Sequence, residues 1–213
     1  MTVVAISAII QTRENTSMDY YFDIETISRG ERPQLTDPVL TIQYQLLYSD
    51  TGKPKGDLVI LKSWDSSEKD ILTRFYDVFI PNPKSREETF SFVAVGAHLN
   101  FDLAVISKAW QRYGFDVSLE QVFYNHPYID LKSTLVMMNN GNFTNAKLAK
   151  FGTKPALLSK QILTWYDNQS YADIEQYITD EAQAFIEFYM RLKKNMTYYG
   201  ERLIKEKQGS LSL

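Results

Sequence analysis

The segment Tyr20–Thr26, with the sequence YYFDIET, joins a run of aromatic and β-favouring residues to two acids. Such a run predicts a strand over Met18–Ile24. Residues two apart on a strand point to the same side, so Asp23 and Glu25 project together. Two adjacent carboxylates repel each other unless a cation joins them. The alternative is a solvent-facing strand end that carries two ordinary acids.

The remaining chain predicts strands first and helices later. Three further segments have the composition of strands: Val39–Tyr48, Leu58–Leu61 and Phe90–Val95. Six segments favour helices: Ser67–Ile80 with Ser67 as its cap, a helix from near Phe101 to Gly114, Leu131–Met138, Asn145–Phe151, Pro155–Tyr166 and Tyr171–Lys194. This order predicts a single mixed α/β domain over residues 1–213. Residues 1–17 would form an arm or strand, and residues from about 200 to 213 a frayed tail.

Composition narrows the chemistry of any active site. The 213 residues are 44% hydrophobic and contain no cysteine, which excludes disulfides, thiolate zinc sites and cysteine nucleophiles. Only His98 and His126 supply imidazoles, so carboxylates would form most of a metal site. Carboxylate oxygens favour hard ions such as Mg²⁺ or Mn²⁺.

Charge and hydropathy restrict the partners of the protein. A net charge of −3 argues against an electrostatic clamp for duplex DNA. The apolar N-terminal stretch is too short to span a bilayer and lacks the basic residues of a signal peptide. We therefore expect a soluble cytoplasmic protein that makes no membrane contact.

Two later segments place further acids at defined positions. In Gly96–Asp102, with the sequence GAHLNFD, a buried strand leads through a polar turn to Asp102 near the start of a helix. Helix capping alone would explain that acid. In the last long helix Tyr177 and Glu181 are four residues apart and therefore share a face. An exposed tyrosine beside an exposed acid is the alternative there.

In this order and spacing, the three segments resemble the three exonuclease motifs of the DnaQ-like (DEDD) superfamily. The Phe22–Thr26 segment matches the first motif, and Gly96–Asp102 fits the second at its glycine, phenylalanine and aspartate. Tyr177, followed by an acid, resembles the third motif of the tyrosine subclass. The likeness is greatest to stand-alone exonucleases related to the proofreading domain of family B DNA polymerases, and it runs from about Met18 to Lys194.

The resemblance implies a ribonuclease H-like fold, with a mixed central sheet and flanking helices, and two divalent ions, Mg²⁺ or Mn²⁺. Asp23 would bridge the ions, and Glu25 and Glu181 would hold the ion that activates water. Asp102 would anchor the second ion, and Tyr177 would orient the water. The motifs also imply substrate contacts from six residues: Ile24, Thr26, His98, Leu99, Asn100 and Phe101.

The sequence departs from the family pattern at two places. His98 stands where the family usually has asparagine, which affects nucleic-acid contacts more than metal binding. Glu181 stands where the third aspartate is expected, and Asp180 lies one residue earlier. One residue along a helix rotates a side chain by about 100°. Glu181 keeps the spacing from Tyr177 and is preferred, and Asp180 remains the alternative.

The implied function is 3′→5′ exonuclease activity on single-stranded nucleic acid, with DNA favoured over RNA and a replication or repair protein as an expected partner. One alternative is a non-catalytic nucleic-acid-binding module of the same fold. Another is an unrelated α/β protein in which Asp23, Asp102 and Glu181 lie far apart. Phe101 and Tyr124 are candidates for base stacking. Four lysines either meet phosphates or form a solvated helical face: Lys147, Lys150, Lys154 and Lys160.

Overall fold

The fold is built on one five-stranded mixed sheet. A computed structural model describes residues 18–80, 91–152 and 160–210. Its strands are β1 (Asp19–Thr26), β2 (Val39–Leu47), β3 (Val59–Lys62), β4 (Val93–Gly96) and β5 (Tyr128–Asp130), in the spatial order β3-β2-β1-β4-β5. Strands β1 to β3 form an antiparallel meander, and β4 and β5 continue parallel to β1.

Helices cover both faces of this sheet. In the described residues they are α1 (Glu68–Phe79), α2 (Leu99–Arg112), α3 (Leu119–Phe123), α4 (Lys132–Met138), α5 (Leu148–Phe151), α6 (Gln161–Asp167) and α7 (Tyr171–Ser210). A mixed sheet in this order with flanking helices is the ribonuclease H-like arrangement, which confirms the predicted fold class.

The central strand β1 is covered on both sides, and its alternation separates the two cores. Phe22 and Ile24 point into the larger core with α1 and α2, where the ring of Phe22 stacks on Phe75 at 5.1 Å between centroids. Tyr21 points to the other face and contacts the ring of Phe185 on α7 at 5.1 Å. Because Asp23 and Glu25 follow Tyr21 with a period of two, they also face α7.

The core under α1 and α2 is rich in aromatic side chains. Ser67 caps α1 as predicted, since its hydroxyl accepts a hydrogen bond from the backbone N–H of Asp70 at 3.1 Å. Trp110 is fully buried and donates from its indole to the carbonyl of Leu72 at 3.0 Å. His126 is buried in the same region, with its ring 4.5 Å from that of Phe79.

Helix α7 spans 40 residues and extends beyond the predicted end at Lys194. The helix continues past Gly200 to Ser210, into the segment for which a frayed tail remains a prediction. Helix-favouring residues and the pairing of Arg202 with Glu206 at 2.8 Å support this last segment. Across the described ranges, no helix is long and apolar enough to cross a bilayer.

The sequence analysis did not predict two elements of the fold, β5 and α3. Strand β5 has three residues and α3 has five, too few for a hydrophobic period to appear. The predicted arm over residues 1–17, the start of the strand at Phe90 and the start of the helix at Pro155 lie outside the described residues. The predicted helix from Asn145 begins later, at Leu148.

Gly96 permits the close approach of β4 to β1. A Cβ atom at this position would lie 2.6 Å from the backbone oxygen of Phe22 and 2.5 Å from the Cδ2 atom of Leu99. The backbone oxygen belongs to the central strand and cannot move aside without disturbing the sheet. A residue without a side chain is therefore required where β4 turns into α2.

We predict that Gly96→Ala lowers the free energy of unfolding by about 1–3 kcal/mol, the usual cost of forcing extra atoms into a packed site. Chemical denaturation would measure this change. Gly200→Ala is the matched control, because a Cβ atom there meets nothing within 4 Å. Equal stability of the two variants would contradict the proposed role of Gly96.

Candidate active site

Three carboxylates meet where the end of β1 faces α7. Asp23 and Glu25 project from the strand, and Glu181 reaches them from the helix. One oxygen from each lies within 4.8 Å of the others. Such a group of oxygens has the composition of a site for a hard divalent cation. The meeting of Asp23 with Glu181 also removes the alternative of an unrelated fold that keeps these acids apart.

Asp102 adds a fourth carboxylate from the first turn of α2. It is only 6% exposed, and its Oδ2 atom has no hydrogen-bond partner within the described residues. Burial, followed by the negative charges of Asp23 and Glu25, raises the pKa of Asp102 well above that of an ordinary aspartate. Asp102 does not cap its helix, because the cap position of α2 is His98.

Two tyrosines hold the acids in place. The Tyr177 hydroxyl is hydrogen-bonded to Glu181, and burial together with that carboxylate raises the pKa of Tyr177 far above its usual value. Tyr177 is therefore a neutral donor near neutral pH. Tyr21 donates from its hydroxyl to Oδ2 of Asp23 at 3.4 Å. Sequence reasoning missed Tyr21, although its position two residues before Asp23 was the available signal.

The two candidate acids of the third motif point in different directions. Asp180 is exposed and accepts a hydrogen bond from the side chain of Gln176 at 2.8 Å. Glu181 is buried and lies beside Asp23 and Glu25. The rotation of about 100° between neighbouring helical residues accounts for this difference.

A strained turn connects β4 to α2 below the acids. His98 has a φ of 71°, in the left-handed region, and its backbone N–H donates to Oδ1 of Asp130 at 3.0 Å. The same oxygen accepts from the backbone N–H of Lys132, the first residue of α4, at 2.8 Å. Asp130 therefore ties the turn before α2 to the start of α4.

Two of the acids, Asp23 and Glu181, line a cleft of about 490 Å³. Tyr177 also lines the cleft, and so do Ala146 and Lys147. Lys147 is exposed and is the cleft-lining member of the four lysines considered as phosphate contacts. Lys154 lies outside the described residues.

The six residues with predicted substrate contacts occupy different environments. His98 is exposed and lines the cleft, and the exposed Asn100 accepts a hydrogen bond from the Tyr128 hydroxyl at 2.8 Å. Ile24 and Leu99 are buried in the larger core. Thr26 and Phe101 are half-buried, and Phe101 packs against that core.

The fold is similar to that of exonuclease I. The zinc-bound E. coli exonuclease I complex with single-stranded DNA matches with a TM-score of 0.57 at 12% identity, covering 89% of this chain and 43% of that chain. Exonuclease I from Methylocaldum szegediense gives a TM-score of 0.44 at 16% identity, covering 58% of this chain and 29% of that one. The chain thus spans less than half of these proteins. No protein-family model and no curated protein matches the sequence.

We predict that Asp102→Asn raises the melting temperature of the metal-free protein at neutral pH by at least about 2 °C. A buried acid whose pKa is raised by folding contributes stability at low pH, and this stability is lost as the pH rises above about 4. Asparagine mimics the protonated acid. The difference from wild type should therefore shrink as the pH falls towards 4.

Differential scanning calorimetry in the presence of a chelator would measure both melting temperatures across this pH range. A variant that melts below wild type at neutral pH and keeps the same gap at pH 4 would contradict the assigned electrostatic cost of Asp102.

Proposed function

We propose that the protein is a metal-dependent 3′→5′ exonuclease that shortens single-stranded nucleic acid, with DNA favoured over RNA. The observation that carries the proposal is the convergence of Asp23, Glu25 and Glu181, which each place a carboxylate oxygen within 4.8 Å of the others. Asp23 and Glu181 also line the cleft. Their order in the chain, together with Asp102, is that of the DnaQ-like motifs.

The donor set fits hard divalent cations. All four side chains offer carboxylate oxygens, the ligands that Mg²⁺ and Mn²⁺ prefer. The Oδ2 atom of Asp102 is buried without a hydrogen-bond partner among the described residues, and a nearby cation would provide the missing partner. Asp23 would bridge two ions, Glu25 and Glu181 would hold one of them, and Asp102 would hold the other.

Two bound ions would supply an activated water at neutral pH and stabilise the leaving oxygen of the phosphodiester. The residues of the chain do the positioning. Tyr177 is neutral and can donate a hydrogen bond, so it orients the attacking water and does not act as a base. Tyr21 steadies Asp23 through its hydroxyl. Lys147 also lines the cleft, where its positive charge would attract a phosphate of the substrate.

The substrate class follows from charge and fold. With a net charge of −3 the chain lacks the overall positive field that holds duplex DNA. A single strand needs fewer neutralised phosphates and can enter a cleft with its end first. The fold is similar to that of exonuclease I in a structure of its complex with single-stranded DNA, and this similarity agrees with the choice of a single-stranded substrate. A replication or repair protein remains the proposed partner.

We predict that Glu181→Gln reduces turnover on single-stranded DNA by roughly a hundredfold or more, because it removes a metal ligand. Asp180→Asn is the matched control, since its side chain is exposed and faces away from the acids. It should retain near wild-type turnover. Rates measured at saturating Mn²⁺ would compare the two variants. An inactive Asp180→Asn with an active Glu181→Gln would overturn the assignment.

We predict that a 5′-labelled single strand is converted to a ladder of shorter labelled products, and that Asp23→Ala abolishes this conversion while leaving the fold intact. Duplex of the same sequence should be digested more slowly. Denaturing gels with Mg²⁺, Mn²⁺ or a chelator would follow the products. Immediate release of the labelled 5′ nucleotide would contradict the direction, and binding without any cleavage would favour the non-catalytic module.

A further inference from the structure

The loop between α4 and α5, residues 139–147, presents an aromatic ring to solvent on a fixed backbone. Phe143 is 74% exposed. The buried side-chain amide of Asn139 donates to the carbonyl of Asn142 at 2.6 Å and to that of Thr144 at 2.9 Å. These two carbonyls belong to the chain neighbours of Phe143. The backbone is therefore held on both sides of the exposed ring.

Further contacts make this loop a constructed feature. Lys150 donates from its ammonium group to Oδ1 of Asn139 at 2.6 Å, which fixes the orientation of the amide. The backbone N–H of Thr144 donates to Oδ1 of Asn142 at 2.8 Å. Asn140 adopts a left-handed backbone with φ 55°, a conformation that asparagine tolerates better than most residues. Several polar side chains thus hold the backbone of the loop in a conformation that leaves one apolar ring outside the core.

The same loop forms part of the cleft. Ala146 and Lys147 line the cleft together with Asp23 and Glu181. The backbone N–H of Ala146 donates to the carbonyl of Phe143 at 3.4 Å, so the backbone of Phe143 lies one turn from a cleft-lining residue. The loop that carries the exposed ring of Phe143 therefore also contributes residues to the lining of the cleft.

An exposed phenylalanine contributes little to folding, because its ring stays in water. A flat ring that is held rigidly can instead stack on an unpaired nucleobase at a low entropic cost. We propose that Phe143 stacks on a base of the single strand whose 3′ end lies in the cleft, and that Asn139 is its positioning residue. This inference rests on the proposed exonuclease function and identifies the loop of residues 139–147 as an element that binds the substrate.

The test compares an oligonucleotide with a small substrate that cannot reach the ring. Phe143→Ala should raise the KM for a single-stranded oligodeoxynucleotide roughly fivefold to a hundredfold, the range expected for one lost base stack, with kcat unchanged. Hydrolysis of the p-nitrophenyl ester of thymidine 5′-monophosphate should stay at the wild-type rate. Phe143→Trp should keep the low KM. Phe143→Leu, which retains apolar bulk without an aromatic face, should behave like alanine.

Two further variants test whether the effect depends on where the aromatic ring lies and on how its backbone is held. Tyr198 is 68% exposed on α7, about 25 Å along the helix axis from Glu181. Tyr198→Ala should therefore leave the KM unchanged. Asn139→Ala should raise the KM as Phe143→Ala does, although Asn139 itself is buried. The Phe143 variants, which alter only an exposed side chain, keep the test valid if the Asn139 variant does not fold.

The outcomes separate the inference from the function on which it rests. If wild type hydrolyses both substrates and Phe143→Ala leaves the KM for the oligonucleotide unchanged, the stacking role is wrong and the exonuclease proposal stands. If wild type hydrolyses neither substrate with Mg²⁺ or Mn²⁺, the proposed function itself fails. An equal rise in KM for Tyr198→Ala would also overturn the assignment to Phe143.

Discussion

The docking of α7 against the central strand β1 is the contact on which the candidate site depends. Two interactions align the helix with the strand. The rings of Tyr21 and Phe185 meet at 5.1 Å, and the buried Asp19 pairs with Lys193 at 3.3 Å near the start of β1. Glu181 lies one helical turn from Phe185, which brings its carboxylate to the end of β1 where the other acids project.

This arrangement carries an electrostatic cost that the rest of the fold offsets. The raised pKa of Asp102 records the cost, since burial and neighbouring carboxylates both disfavour its charged form. The sheet is packed on both faces, and Phe22 and Val95 in its central strands are fully buried. A rigid scaffold of this kind can hold like charges together until a cation neutralises them. Under the proposed function, a bound divalent cation would offset this electrostatic cost.

Much of the fold and the convergence of three acids could be predicted from the sequence. The period of two in β1 predicted that Asp23 and Glu25 share a face, and the spacing of four residues linked Tyr177 to Glu181. These relations are local, so a sequence reveals them directly. The order of the three motifs supplied the long-range relation between strand and helix. The same order of motifs also predicted that Asp102 lies near the other three acids.

Other features depend on tertiary contacts that leave no local pattern. Strand β5 is stabilised by pairing with β4 and is too short to show alternation. The hydrogen bonds from Asn139 to the carbonyls on either side of Phe143 require a loop conformation with left-handed residues. Composition does not specify that conformation. The choice between Asp180 and Glu181 was open in the sequence because both lie next to the expected position. The rotation of α7 separates them.

The central claim is that the four carboxylates form a divalent metal centre. Crystals grown with Mn²⁺, with anomalous diffraction data collected near the manganese absorption edge, would test it most directly. The account predicts manganese peaks among Asp23, Glu25 and Glu181, with a second peak between Asp23 and Asp102. Saturating Mn²⁺ that leaves this cluster without an anomalous peak, or that binds at Asp180 instead, would contradict the account.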